Sequence, residues 1–128
     1  MNNDVKRELD RGVESFNRWR ENNPGVEIDL NGSVLTERDL RGINLSNACL
    51  VKAKMVKIKL QGADLSGAIF IEADMRMSDL SNANLVDADL TGADLSGANL
   101  GGADIKDTNF NHTDTRYCMV DREHRNLL

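Results

Sequence analysis

Asp64, Asp74, Asp79, Asp89, Asp94 and Asp104 each fall one residue before a multiple of five. Carboxylates at fixed spacing are the raw material of general acid–base pairs and of sites for hard cations. Such chemistry needs two carboxylates, or a carboxylate and a histidine, converging on one point in a cleft. His112 and His124 stand alone, and neither has the spacing of an HExxH zinc helix. Cys49 and Cys118 form no CxxC pair, and no glycine-rich loop stands between a strand and a helix. On residue types and spacing, the expectation is no catalytic, cofactor-binding or metal-binding residues, and no cofactor.

What holds these aspartates in place is a repeat. In "ANLVDADLTGADLSGANLGGADI", residues 83–105, a small residue, an Asp or Asn, and a Leu return every five positions. Large apolar residues occupy multiples of five from Leu30 to Phe110, and Ala precedes most of them by two. From residue 26 to 120 this makes 19 pentapeptides without an insertion. Five matches neither the helical period of about 3.6 nor the strand period of 2. Parity explains it. Two residues apart on extended chain share a face, but the next Ala lies three residues beyond the Leu. Keeping both inside requires a corner in between, and the corners carry Gly42, Gly62, Gly67, Gly92, Gly97 and Gly102 with Ser and Asn. The result is an all-β solenoid with Ala and Leu inside, coils stacked about 4.8 Å apart and aspartates outside. Four corners per coil would stack Met55 on Met75 and Asp74, Asp94 and Asp114 in one column. Three would align Val56, Ile71 and Val86. The sequence leans towards four.

The motif A(D/N)LXX, as in "ADLTG", "ADLSG" and "ANLGG", resembles the pentapeptide repeat family over about three quarters of the chain. The resemblance implies a right-handed quadrilateral β-helix of 20-residue coils, in a family widespread in bacteria and numerous in cyanobacteria.

A solenoid needs covers for its end coils. Residues 1–25 read as an N-terminal cap built on one α-helix over residues 3–22: Val5, Leu9, Val13 and Phe16 follow helical spacing, with Trp19 one turn on. Asn3 or Asp4 would start it, and Pro24 follows its end. Arg38 occupies an inward slot, which marks the first coil as irregular. Residues 26–120 form the repeat domain, and 121–128 a tail or short cap that lays Leu127 and Leu128 over the last coil, frays, or leaves that end to pair with another molecule.

Two surfaces break the pattern. Lys52, Lys54, Lys57 and Lys59 form an outward basic band, whereas residues 61–115 hold ten acids and two bases. The band either recognises a partner or balances charge between coils; Lys54 beneath Asp74 and Lys59 beneath Asp79 favour balancing. Cys49, Val51, Ile69 and Ile71 point outward from one side, and Val56 and Met77 extend this apolar patch around a corner; it is either a contact surface or a strengthening of exposed strands.

The net charge of −5 disfavours nucleic acid and anionic membranes as partners. No apolar run approaches the roughly 18 residues of a membrane helix. Two cysteines without a signal-like apolar stretch point to the cytoplasm. The expected function is a non-enzymatic scaffold that binds a protein partner or a second copy of itself. The alternative, carried by the family resemblance and the acidic stretch, is a DNA-mimicking regulator of a type II topoisomerase such as gyrase.

Overall fold

The computed structural model describes residues 3–128, apart from the side chain of Asn3, so the candidate cap at Asn3 lies outside what is described. Two helices come first, α1 (Asn3–Asp10) and α2 (Val13–Asn22). The sequence reading of one helix through residues 3–22 is corrected here. Gly12 has φ of +107°, outside the helical range, and splits the segment. Backbone bonds from Arg11 to Glu8 and from Gly12 to Leu9 close α1, while the Gly12 carbonyl accepts the Phe16 N–H as α2 begins. The apolar spacing runs through the break, because Val5, Leu9 and Phe16 are all buried in the core shared with the solenoid. Trp19 packs partly against that core, its ring 5.8 Å from that of Phe16.

From residue 26 onward the chain turns every five residues. Fifteen parallel bridges each join residue n to residue n + 20, from Asp29–Cys49 to Asn99–Met119. Four corners therefore close one coil, and the three-cornered alternative is excluded. Each side is reduced to a single bridged residue rather than a long strand. On the first side, for example, Leu30 N–H donates to Cys49 O (2.7 Å) and Cys49 N–H to Ile28 O (2.8 Å). The sides are numbered by their bridged residues: 29, 49, 69, 89 and 109 on the first; 34 to 114 on the second; 39 to 119 on the third; 44 to 104 on the fourth.

The corners share one geometry. The residue after each corner donates its N–H back to the carbonyl three positions earlier, as Ser33 does to Leu30 (3.1 Å). The second corner residue has positive φ every time, from Gly32 to Tyr117, between +56° and +73°. This is the pattern of a type II turn, which glycine suits best. Eleven of these positions are not glycine. At Gly67 and Gly102 the absent side chain also makes room. A Cβ there would come within 2.2 Å of the amide oxygens of Asn47 and Asn82 one coil below.

The bore is filled as the repeat demands. Leu30 through Leu100 at multiples of five are buried, as are Ala48 to Ala103 and the larger Ile43 and Ile58 in the small-residue slots. Ser33, in the same kind of slot, donates its hydroxyl to Leu30 O at 2.6 Å. Arg38 avoids the interior: its guanidinium reaches the Asp10 carboxylate (2.9 Å) and Leu9 O (3.2 Å) at the end of α1.

The last coil is looser. Thr108, Thr113 and Cys118 take small-residue slots, half-buried, and donate to Leu85 O, Leu90 O and Leu95 O of the coil beneath. A 3-10 helix (Arg122–Leu127) follows. Of the two leucines expected over the last coil, Leu128 packs against the core, whereas Leu127 is exposed.

Two outcomes follow for stability. Leu65→Asp or Leu85→Asp, each placing a carboxylate in the dry bore, is expected to cost roughly 5 kcal/mol or more and abolish the cooperative melt seen by circular dichroism. Lys57→Gly, at a left-handed corner (φ +57°), is expected to gain about 0.5–1 kcal/mol, read as a higher Tm.

Candidate interaction surfaces

The aspartates that invited a search for chemistry are occupied. Thirteen Asp or Asn side chains in the slot before the central residue accept the backbone N–H two residues on. Each thereby fastens a corner, since a short acceptor on the first flank of a turn can hold the next amide. Asp64 and Asp79 also accept the hydroxyls of Ser66 (2.6 Å) and Ser81 (2.7 Å). Asp94 takes the Ser96 N–H at 2.9 Å. Sequence reasoning placed these groups outside but missed this task; its signal was Ser or Thr two residues after Asp.

On the second side the bridges stack Lys54, Asp74, Asp94 and Asp114. Arg76 clasps Asp74 through two contacts of 2.8 Å, and Arg116 clasps Asp114 through contacts of 3.0 and 2.6 Å. The hydrogen bonds from Arg76 hold the Asp74 carboxyl below the usual carboxylate range, with the nearby charges of Arg76 and Lys54 adding to the effect. Asp39 beside Arg41 and Asp114 beside Arg116 are lowered for the same reason.

The lysines lie as the register requires. Lys54 bridges to Asp74 and Lys59 to Asp79 through the backbone, while Lys52 Nζ lies 3.6 Å from Glu72 Oε2. Lys52 and Lys57 are left-handed corner residues. Exposed pairs of this kind are worth about 0–1 kcal/mol.

On the first side, Cys49 bridges to Ile69, and Val51 and Ile71 follow each of them by two, one coil apart. All four are half-buried. They form a two-rung ladder in which Cys49 and Ile69 take the slot otherwise held by Asp or Asn, so Val51 N–H turns to Asn31 Oδ1 (2.8 Å) in the coil beneath. Val56, half-buried, and Met77, 52% exposed, belong to the next corner, where Arg76 stands above Val56. The Met77 side chain leans towards Gly97, whose Cβ position is 3.2 Å from Met77 Cγ. Three further apolar residues escaped the sequence reading: Val34, Tyr117 and Met119 are all exposed. Val34 and Met119 could have been found, as each replaces Asp or Asn in an outward slot.

Cys49 and Cys118 are both free, and burial pushes the Cys118 thiol up. At the tail, Asp121, Glu123 and His124 bring donor atoms within 4.8 Å of one another, a set of the kind that binds a divalent ion. Asp121 is already engaged, accepting the Gly102 N–H at 3.1 Å in place of a coil above. A cavity of about 530 Å³ lies where α2 meets the first coil, with Arg20, Val26 and Asp29 in its wall.

The depressed Asp74 carboxyl stabilises the fold at pH values above its unfolded range, and this contribution disappears as pH falls through the folded value. Arg76→Gln is expected to return Asp74 to the ordinary carboxylate range in an NMR titration. The variant should be less stable than the parent at neutral pH and match it in strong acid; an unchanged Asp74 titration would refute the assignment.

A profile of pentapeptide repeats matches eight copies over residues 26–60, 57–85 and 83–114. Among solved structures, the chain is similar to a pentapeptide repeat protein from the thylakoid lumen of Arabidopsis thaliana, at 32% identity and a TM-score of 0.50, over 78% of this chain and 73% of that one. It is also similar to the pentapeptide repeat protein Rfr23 of the cyanobacterium Cyanothece 51142 (24% identity, TM-score 0.39, 84% of this chain and 99% of that one). A third, HetL, involved in heterocyst differentiation regulation in Nostoc, shares 28% identity with a TM-score of 0.37, over 68% of this chain and 48% of that one. No curated protein matches the sequence. Pentapeptide repeat proteins of known structure are right-handed quadrilateral β-helices, in agreement with the four-sided coil found here. With the repeat running unbroken through its bridges and the profile covering residues 26–114, this chain belongs to the pentapeptide repeat family.

Proposed function

We propose that the protein is a non-enzymatic scaffold that binds a protein partner, or a second copy of itself, through the outer wall of its first side. The observation that carries this reading is the ladder of Cys49, Val51, Ile69 and Ile71. On two successive coils of one side, the corner-fastening Asp or Asn is absent and apolar side chains take its place. A contiguous apolar surface on an otherwise polar wall is the usual mark of a contact site. The lysine band, Lys52 to Lys59, borders it and supplies a charged rim.

In this reading residues 1–25 cap the solenoid, 26–120 carry the binding walls, and 121–128 cover part of the last coil. No cofactor is required. We place its work in the cytoplasm; no helix among the described residues is long and apolar enough to cross a membrane. The rival reading, a DNA-mimicking regulator of gyrase, draws on the ten acids and two bases of residues 61–115. The second side weakens it, because Arg76 and Arg116 neutralise Asp74 and Asp114 there.

Replacing Ile69 and Ile71 together by alanine is expected to weaken self-association or partner retention by at least about tenfold, while leaving the melt cooperative. Light scattering of the purified protein and co-purification from the native host read the two cases. Association that survives the double substitution unchanged rejects the first-side reading.

A further inference from the structure

Every coil bonds downward through three backbone groups per side. On the first side of the second coil these are Cys49 N–H, Cys49 C=O and Val51 C=O, which meet Ile28 O, Leu30 N–H and Gly32 N–H of the coil beneath. The first coil has no coil beneath it, so its lower groups need other partners or stay open.

On the fourth side, α2 supplies them. Asn44 N–H donates to Asn17 Oδ1 (2.8 Å). Arg20 Nη1 donates to Asn44 O (3.2 Å) and to Ser46 O (2.8 Å). Two side chains of a helix thus stand in for a missing length of extended backbone.

The equivalent groups on the first side, three pentapeptides earlier, are Asp29 N–H, Asp29 C=O and Asn31 C=O. Among the described residues no hydrogen bond reaches any of the three. They border the cavity of about 530 Å³, whose walls include Pro24, Val26, Glu27 and Ile28.

We propose that this open lower edge, residues 26–31, is a docking site for an extended peptide segment of a partner protein with alternating apolar and basic side chains. One donor and two acceptors spaced along a single extended edge match the backbone of another extended chain, and strand addition uses that match. Pro24 and Val26 offer an apolar seat for alternate side chains. The charge argues for a basic peptide. Glu27 is exposed and forms no ion pair among the described residues, and Asp29 adds a second carboxylate. The one opposing charge, Arg20, is half-buried and turned towards Asn44 and Ser46 through Nη1. This site lies beneath the solenoid and shares Cys49 with the outer-wall ladder, but Ile69 and Ile71 are not part of its wall, so their replacement separates the two readings.

The test is an NMR titration of the full-length ¹⁵N-labelled chain with the blocked hexapeptide Ac-Val-Lys-Val-Lys-Val-Lys-amide. The Asp29 amide is expected to shift and its hydrogen exchange to slow by about tenfold. A peptide N-methylated at alternate backbone amides should bind about tenfold more weakly, because the edge bonds are lost. Glu27→Lys, an exposed change that spares the fold, should reverse the preference towards Ac-Val-Glu-Val-Glu-Val-Glu-amide. The double replacement of Ile69 and Ile71 by alanine should leave the titration intact. The proposal is overturned by an Asp29 amide unmoved at millimolar peptide, by equal binding of the N-methylated control, or by Asp29 protection that grows with protein concentration alone, which would mean a second copy holds the edge.

Discussion

Everything in this molecule depends on a corner that must be turned every five residues. The parity of extended chain would otherwise swing each alanine from the bore to the wall. The corner is made by one left-handed residue and one short-range hydrogen bond, repeated from Gly32 to Tyr117. Eleven side-chain-bearing residues accept that conformation, at about 1–2 kcal/mol each. They are held there by bonds between coils and by the dry column of Leu, Met, Phe and Ala inside. Cooperation between neighbouring coils, rather than strength at any one corner, makes the geometry tenable.

The same constraint gives the outer wall its meaning. Asp and Asn before the central residue are corner fasteners, which is why so many acids line the surface. Where they are missing, the wall is free to carry something else. Three successive slots of the second coil hold Cys49, Lys54 and Lys59, and Ile69 lies one coil above Cys49. The apolar ladder and the lysine band are thus one departure from one rule, concentrated in one part of the rod.

The ends obey a different logic, because a stacked coil always leaves unpaired backbone and uncovered apolar surface at its limits. At the start, Val5, Leu9 and Phe16 are buried in the core shared with the solenoid, while Asn17 and Arg20 bond to one side of the edge. At the finish, Asp121 answers the Gly102 amide and Leu128 lies against the core. Both solutions are partial: among the described residues no hydrogen bond reaches the lower backbone groups of Asp29 and Asn31, nor those of Val34, Thr36, Asp39 and Arg41 on the next two sides.

The five-residue period, the inward columns and the places of the corners were all legible in the sequence, since they follow from local parity and from residues that tolerate turns. So was the outward placement of Lys54 and Ile69. Three features needed the folded chain. The choice of four sides over three lies in contacts 20 residues apart, which short-range spacing leaves open. The break at Gly12 was hidden because Val5, Leu9, Val13 and Phe16 keep helical spacing across it while facing one core. The roles of Asn17 and Arg20 depend on carbonyls and amides about 25 residues away, and no local pattern distinguishes a surface amide from one that replaces a missing strand. Local physics determined the repeat; only packing at long range decided its cross-section, its ends and the surfaces left open.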